Sequence, residues 1–498
     1  MNRSEMLVQL TETKEWDLVI IGGGATGLGC AVDATSRGYK SLLIERYDFG
    51  KGTSGKSTKL IHGGVRYLAQ GNIKLVKEAL RERAYLLRNA PGVTSVSPFV
   101  VPVYNWWHKW FYGIGLKMYD LMAGKLSVGK TRWLNKQETL QRLPGINSTN
   151  LKGGILYFDG QFDDTRLAIE LAKTAVTNGA TVLNYCAATS FIKTKDTITG
   201  VCFCDIIDNV FYTANAKAVI NATGVFADAL MQLDKPSQNK MIAPSQGVHI
   251  VIENKFFPGN AAMMIPNTED GRVLFAVPWH NKVLLGTTDT PVASIDIEPK
   301  PLAAEIDFII HHANKYLAIN ISEKDVVSTF AGLRPLIKQK GISTTSVLSR
   351  DHTILLSESK LITITGGKWT TYRKMAEDAV SKAAELTHLP AKQCITHTLR
   401  IGGISNDKKV YNNNFLQTDE LLSSNDITFF VEKEMAMTVE DILARRTRIL
   451  FVDADRARLA APHVAVQMAS LLQKEEAWIQ EQIAQFTELA RQYVLPLL

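Results

Sequence analysis

Gly22-Gly23-Gly24-Ala25-Thr26-Gly27 sets glycines at the G-x-G-x-x-G spacing, and Glu45 stands some twenty residues further on. The first glycine of such a run permits a tight turn and the second lets backbone approach a pyrophosphate. The third lets a helix pack against a strand, and the helix N-terminus then attracts the phosphate charge. Glu45 falls where an acid grips an adenosine ribose, and it disfavours the extra phosphate of NADP, leaving FAD or NAD. Gly50-Lys51-Gly52-Thr53-Ser54-Gly55-Lys56-Ser57-Thr58-Lys59 is a loop dense in hydrogen-bond donors. That composition suits a cofactor's phosphates, and equally a solvated surface. Three cations stand near glycines: Arg66, Arg334 and Lys368. Arg334 offers a planar fork that matches a phosphate. His62 and His249 carry imidazoles, which titrate near neutrality and can move a proton.

These residues need elements to hold them. Trp16 to Ile21 is a short apolar run of strand formers, Leu28 to Gly38 has the small and apolar residues of a helix on a sheet, and Ser41 to Ile44 is a second strand. Ile73 to Arg88 is amphipathic at helical spacing, and Val100 to Tyr104 is strand-like. Trp106-Trp107-His108-Lys109-Trp110-Phe111-Tyr112, continuing to Tyr119, interleaves aromatics with lysines. That pattern suits a segment lying in a bilayer interface, and also an aromatic helix in a core or at an oligomer contact. Asp163 or Asp164 caps a helix over Leu167 to Thr177, a better reading of the two acids than a metal site. Thr181 to Tyr185 and Ala218 to Gly224 are further strands, and Ile242 to Asp289 breaks into short alternating strands (Val248–Ile252, Arg272–Val277, Lys282–Gly286). Leu361 to Ile364 is a strand leading into a helix from Thr370 to about Leu386. Beyond a polar linker, Ile427–Leu450, Val464–Leu472 and Ile479–Tyr493 are helical.

A chain of 498 residues exceeds one ordinary core and calls for two or three domains. No stretch approaches the roughly 20 apolar residues of a membrane span, and no signal peptide is visible before Trp16. Five cysteines without zinc spacing fit reduced thiols in a cytoplasm, and no metal site is expected. A net charge of +7 suits an anionic small substrate or an anionic membrane surface and does not itself argue for nucleic acid.

The glycine run, Thr53-Ser54, Lys59-Leu60-Ile61-His62-Gly63-Gly64-Val65-Arg66-Tyr67-Leu68, Gly286 to Thr290, Ala331 to Leu336 and Thr365 to Lys374 together resemble the FAD-dependent glycerol-3-phosphate dehydrogenases, within the D-amino-acid-oxidase-like flavoenzymes. The family has Ser-Ser where Ser54-Gly55 stands, a departure that could weaken one hydroxyl contact to the flavin. The resemblance implies an α/β fold. A Rossmann-type FAD-binding domain (12–100, 150–240 and 325–388) would join an antiparallel β-sheet substrate domain (101–149 and 241–324) and a C-terminal α-helical cap (389–498). Thr438 to Arg448 resembles the cap signature, on a shortened segment, and the EF-hands of mitochondrial relatives are missing, so the chain resembles the bacterial type.

On this resemblance the cofactor FAD would be held by Gly22, Gly23, Gly24, Ala25, Thr26, Gly27, Glu45, Thr53, Ser54, Lys59, Leu60, Gly63, Gly64, Ala222, Thr223, Gly224, Gly366, Gly367, Lys368, Trp369 and Thr370. Helix N–H groups and Lys368 would stabilise charge that develops on the flavin. Arg66, Tyr67, Arg334 and Lys368 would bind the substrate. His62 is the first candidate for the base and His249 the second, with Lys368 and Arg66 completing the catalytic set. His249 also fits a satisfied core histidine. The implied reaction takes sn-glycerol 3-phosphate to dihydroxyacetone phosphate, a base removing the C2 hydroxyl proton while the C2 hydride passes to flavin. The implied partners are a quinone, a membrane surface met peripherally from the cytoplasm, and a second copy of the chain as a homodimer, with no nucleic acid. Three rivals share some of these features: a soluble glycerol-3-phosphate oxidase making hydrogen peroxide, an amino-acid oxidase, and a flavin-containing RNA-modification or RNA-binding protein.

Overall fold

The computed structural model describes residues 1–64, 72–266, 268–269, 271–338, 351–402 and 422–495. Two sheets organise the chain. In the first, the central strand Trp16–Ile21 pairs in parallel with Ser41–Ile44 on one side and Val210–Asn221 on the other. Thr181–Leu183 extends one edge in parallel, Ile362–Gly366 the other, and antiparallel His352–Leu356 closes it. Leu18, Val19 and Ile20 are completely buried because helices cover both faces, as a parallel sheet requires. Helix Ala25–Ser36 returns the chain across one face, and helix Tyr372–Leu386 packs on it at Gly29. A methyl there would stand 2.9 Å from the Tyr372 ring, so a small residue fixes the approach of the two helices.

The second sheet has ten strands and is almost wholly antiparallel. Its longest pairing joins Ile242–Glu253 to Val326–Ile337. Sequence places 150–240 and 325–388 with the dinucleotide-binding half. Yet Gly153–Phe162 and Val326–Ile337 are bonded into this second sheet, as are Leu60–Ile61 and Thr94–Val103. An apolar run announces a strand, whereas its partner, many residues away, is chosen by global packing. The two halves are therefore interwoven along the chain.

Helices Ser424–Glu434, Ala454–Leu472 and Glu476–Arg491 form a C-terminal cluster. Between the first two, Asp441–Arg446 is π-helical and Ile449–Val452 a short helical turn. The cluster is tied to the second sheet, where the Ser328 hydroxyl donates to Leu450 O at 3.0 Å.

Candidate active site

The strand Trp16–Ile21 ends at Gly22, whose φ of 113° is open to glycine alone; a Cβ there would come within 2.6 Å of Ala222 O. At Gly27 a Cβ would overlap Gly22 O, so the helix can start hard against the strand only with this glycine. Gly24 caps the helix without a side chain, and the Ala25 N–H donates to Ser54 Oγ at 2.9 Å. Glu45, at the end of the second strand, accepts from Gly23 N–H at 2.5 Å and from Tyr47 N–H at 2.8 Å. Burial pushes its carboxyl upward against the pull of those two amides.

This turn forms one end of a cavity of about 660 Å³. Gly22, Gly24, Ala25, Thr26, Glu45, Thr53, Ser54, Leu60, Gly64, Ala222, Thr223, Gly224, Gly366, Gly367, Lys368, Trp369 and Thr370 line it, and so do His62, His249 and Arg334. Segments far apart in the sequence meet there for local reasons. The consecutive glycines Gly366 and Gly367, with φ of 83° and 71°, swing the chain from its strand into a 3-10 turn at Trp369–Thr371. The Trp369 indole donates to Ser54 O at 2.8 Å, locking that turn to the donor-rich loop. The Thr53 hydroxyl donates to Leu333 O at 2.5 Å, joining the loop to the strand that carries Arg334.

Four of the expected cofactor residues stand behind the wall. Gly23 supports Glu45, Gly27 makes the helix–strand contact, and the Gly63 N–H is bonded to Tyr119 Oη. Lys59 is the clearest departure: it is fully buried and turned away from the cavity. Its Nζ is paired with Asp164 at 2.6 Å and donates to Gly55 O at 2.8 Å. So Asp163 takes the cap of helix Asp164–Thr177, while Asp164 neutralises a lysine. Arg66 and Tyr67 lie outside the described residues.

The Arg334 guanidinium lies against the second sheet. One nitrogen donates to Thr287 Oγ1 at 3.0 Å and Thr288 O at 2.9 Å, the other to Gln246 O at 3.3 Å. Asp289 stands 3.4 Å from it and accepts in turn from the Ser245 hydroxyl. His249 is buried, with Nε2 2.9 Å from Thr58 Oγ1. Burial, then Lys59 and Arg334, hold its imidazole well below the usual histidine range. Asp159 and Arg272 also reach the cavity without having been singled out from sequence, and Thr58 reaches it from within the donor-rich loop. Arg272 was visible only as a strand residue; it precedes the strand Leu274–Trp279.

The glycine cradle that a Cβ would fill, the inward-facing acid at Glu45 and the glycine pair at 366–367 on one continuous cavity fit an adenine dinucleotide bearing a flavin. Comparison with known proteins agrees. Residues 17–373 match the family model described as FAD dependent oxidoreductase, and residues 357–479 match the C-terminal domain of alpha-glycerophosphate oxidase. The chain is 36% identical to the mitochondrial glycerol-3-phosphate dehydrogenase of Rattus norvegicus, over 97% of this chain and 74% of that protein. Against the Saccharomyces cerevisiae enzyme the identity is 40%, over 81% of this chain and 68% of that one. A crystal structure of the glycerol-3-phosphate dehydrogenase from Bacillus halodurans, complexed with FAD, superposes with a TM-score of 0.80 at 29% identity, covering 100% of this chain and 98% of that one.

Proposed function

This chain belongs to the FAD-dependent glycerol-3-phosphate dehydrogenases and oxidises glycerol 3-phosphate with FAD as first acceptor; we propose that a quinone at the cytoplasmic face of a membrane takes the electrons on. Bound FAD supplies the two-electron acceptor for the C2 hydride, leaving dihydroxyacetone phosphate. The protein's part is to hold, orient and deprotonate. Arg334, with Arg66 and Tyr67, holds the phosphate, and Lys368 polarises the C2 oxygen. His62 takes the hydroxyl proton. His249 is a poor base by comparison, because its buried ring is held neutral and its Nε2 faces the Thr58 hydroxyl. It serves as a fixed neutral wall.

The observation that carries this reading is the single cavity in which the glycine cradle, Gly366-Gly367 and the groups His62, His249, Arg334 and Lys368 are gathered. Helix Trp106–Ala123 supports the membrane surface: Trp107 and Leu121 are 80% exposed, Phe111 66% and Trp110 63%. No helix among the described residues is long and apolar enough to cross a membrane, so the contact proposed is peripheral. The decisive experiment is anaerobic: glycerol 3-phosphate should bleach the bound flavin, and a quinone analogue should restore its colour. A flavin unaffected by glycerol 3-phosphate would sink the reaction. Peroxide formed in air at the full turnover rate would replace the quinone by oxygen.

A further inference from the structure

The short strand Leu60–Ile61 runs antiparallel to Gly153–Phe162, with Ile61 opposite Gly160. One step further the ladder stops, and the chain turns away through His62, Gly63 and Gly64. What takes over is a side chain from elsewhere. The Gly63 N–H donates to the Tyr119 hydroxyl at 2.7 Å, and that hydroxyl donates to Asp159 Oδ2 at 2.8 Å. Asp159 Oδ1 is held by Arg83 at 2.8 Å and by the Gly160 N–H at 3.2 Å. Tyr119, Arg83 and Asp159 are all buried, so losing the hydroxyl would leave the Gly63 N–H and Asp159 Oδ2 each short of a partner. The fit is close: a Cβ on Gly63 would lie 2.6 Å from Tyr119 Oη and 2.7 Å from Leu80.

His62 and Gly64, on either side of this anchored amide, both face the cavity. Resting on the reaction assigned above, we infer that Tyr119 is a positioning residue for the oxidation: its hydroxyl fixes the Gly63 main chain and so sets His62 and Gly64 on the cavity wall. Tyr119 is not among the residues lining the cavity and acts through Gly63. It belongs to helix Trp106–Ala123, where Leu116, Tyr119 and Ala123 share the buried face while Trp107, Trp110, Phe111 and Ile114 lie on the exposed one. One rigid element thus carries both the outward aromatic face and the anchor of the histidine segment.

The test is Tyr119→Phe in the FAD-loaded enzyme, which keeps the ring and removes only the oxygen. The rate of flavin bleaching at saturating glycerol 3-phosphate, per bound flavin, should fall about 10- to 100-fold, the cost of a misplaced reacting group. Flavin content should stay near that of the wild type, while the thermal midpoint should fall by a few degrees, because the Gly63 N–H and Asp159 Oδ2 both lose their partner. A rate per bound flavin within about twofold of wild type would overturn the inference, whether or not flavin is lost. In the unaltered holoenzyme, hydrogen exchange should find the Gly63 amide protected; rapid exchange there overturns the bond and the inference irrespective of the variant. If glycerol 3-phosphate fails to bleach the wild type, the reaction itself falls and this role with it. A bleached wild type with an indifferent variant removes Tyr119 alone.

Discussion

The imidazole of His249 lies over the ring of Phe330, with 5.0 Å between centroids and 20° between planes. Stacked there and facing Thr58, it is kept neutral by burial and by the cations Lys59 and Arg334. His249→Gln should therefore lower kcat yet leave the ionisation in the pH profile of kcat/KM where it stands. His62→Gln should remove that ionisation. The reverse pattern would exchange the two roles.

His280 gives a second pH effect, on stability. Burial, with Arg448 beside it, lowers its imidazole to about 4. Below about pH 6.5 the unfolded chain takes up a proton that the folded chain refuses, so stability falls with pH until about pH 4. Between pH 7 and 5 this group alone should cost about 2 kcal/mol. His280 has a φ of 48°, which asparagine tolerates, so His280→Asn keeps the turn and deletes the titration. Urea unfolding at the two pH values should show the smaller acid loss in the variant; equal losses would refute the assignment.

Arg334→Ala should raise KM for glycerol 3-phosphate. A charged hydrogen bond is worth about 1.5–3 kcal/mol, so kcat/KM should drop about 10- to 150-fold. Arg334→Lys should recover little, because an ammonium cannot reproduce the fork held by Thr287 and Thr288. Unchanged steady-state kinetics in the alanine variant would remove the phosphate clamp.

Asp48 and Arg446 are both inaccessible to solvent and are directly paired. Burial pushes the Asp48 carboxyl up, but Arg446 and Arg445 outweigh it and hold the group below its usual range. The π-helical Asp441–Arg446 turns two successive arginines onto this one acid, Arg445 Nε approaching at 2.5 Å. Arg446→Met leaves the buried Asp48 carboxylate with Arg445 as its remaining arginine partner, and should cost about 1.5–3 kcal/mol of unfolding free energy and weaken flavin retention. A urea midpoint and flavin content equal to wild type would contradict this.

For the aromatic helix, Trp107→Ser with Trp110→Ser should weaken sedimentation with anionic phospholipid vesicles at least tenfold, since a large buried apolar side chain is worth about 1.5–3 kcal/mol. Turnover with a soluble artificial acceptor should not change. Undiminished vesicle binding would leave the exposed face without a lipid partner.

The run from Trp16 to Glu45 was legible because everything that shapes it is local: strand Trp16–Ile21, helix Ala25–Ser36 and strand Ser41–Ile44 follow the pattern of their own residues. The Gly366-Gly367 turn was equally plain, and Arg334 and Lys368 do reach the cavity. Lys59 shows the limit. Its neighbours fit a cofactor loop, yet the charge is consumed by Asp164, over a hundred positions away. Tyr119 likewise belongs in sequence to an aromatic stretch, and nothing near it announces that the Gly63 N–H will donate to its hydroxyl. Pairings that span the chain are set by three-dimensional packing, and single-residue patterns do not encode them. Ser54-Gly55 departs from the family's Ser-Ser, yet the remaining serine still accepts from the Ala25 N–H.

The clasp between Asp48 and Arg446 joins positions 398 apart. At about 5–20 residues per second of synthesis, roughly 20–80 s pass between the emergence of one half and the other. A nascent chain therefore exposes its glycine turn long before the residue that latches the adjoining loop exists. Firm uptake of the coenzyme should await chain completion, and prematurely released fragments should leave the ribosome without it.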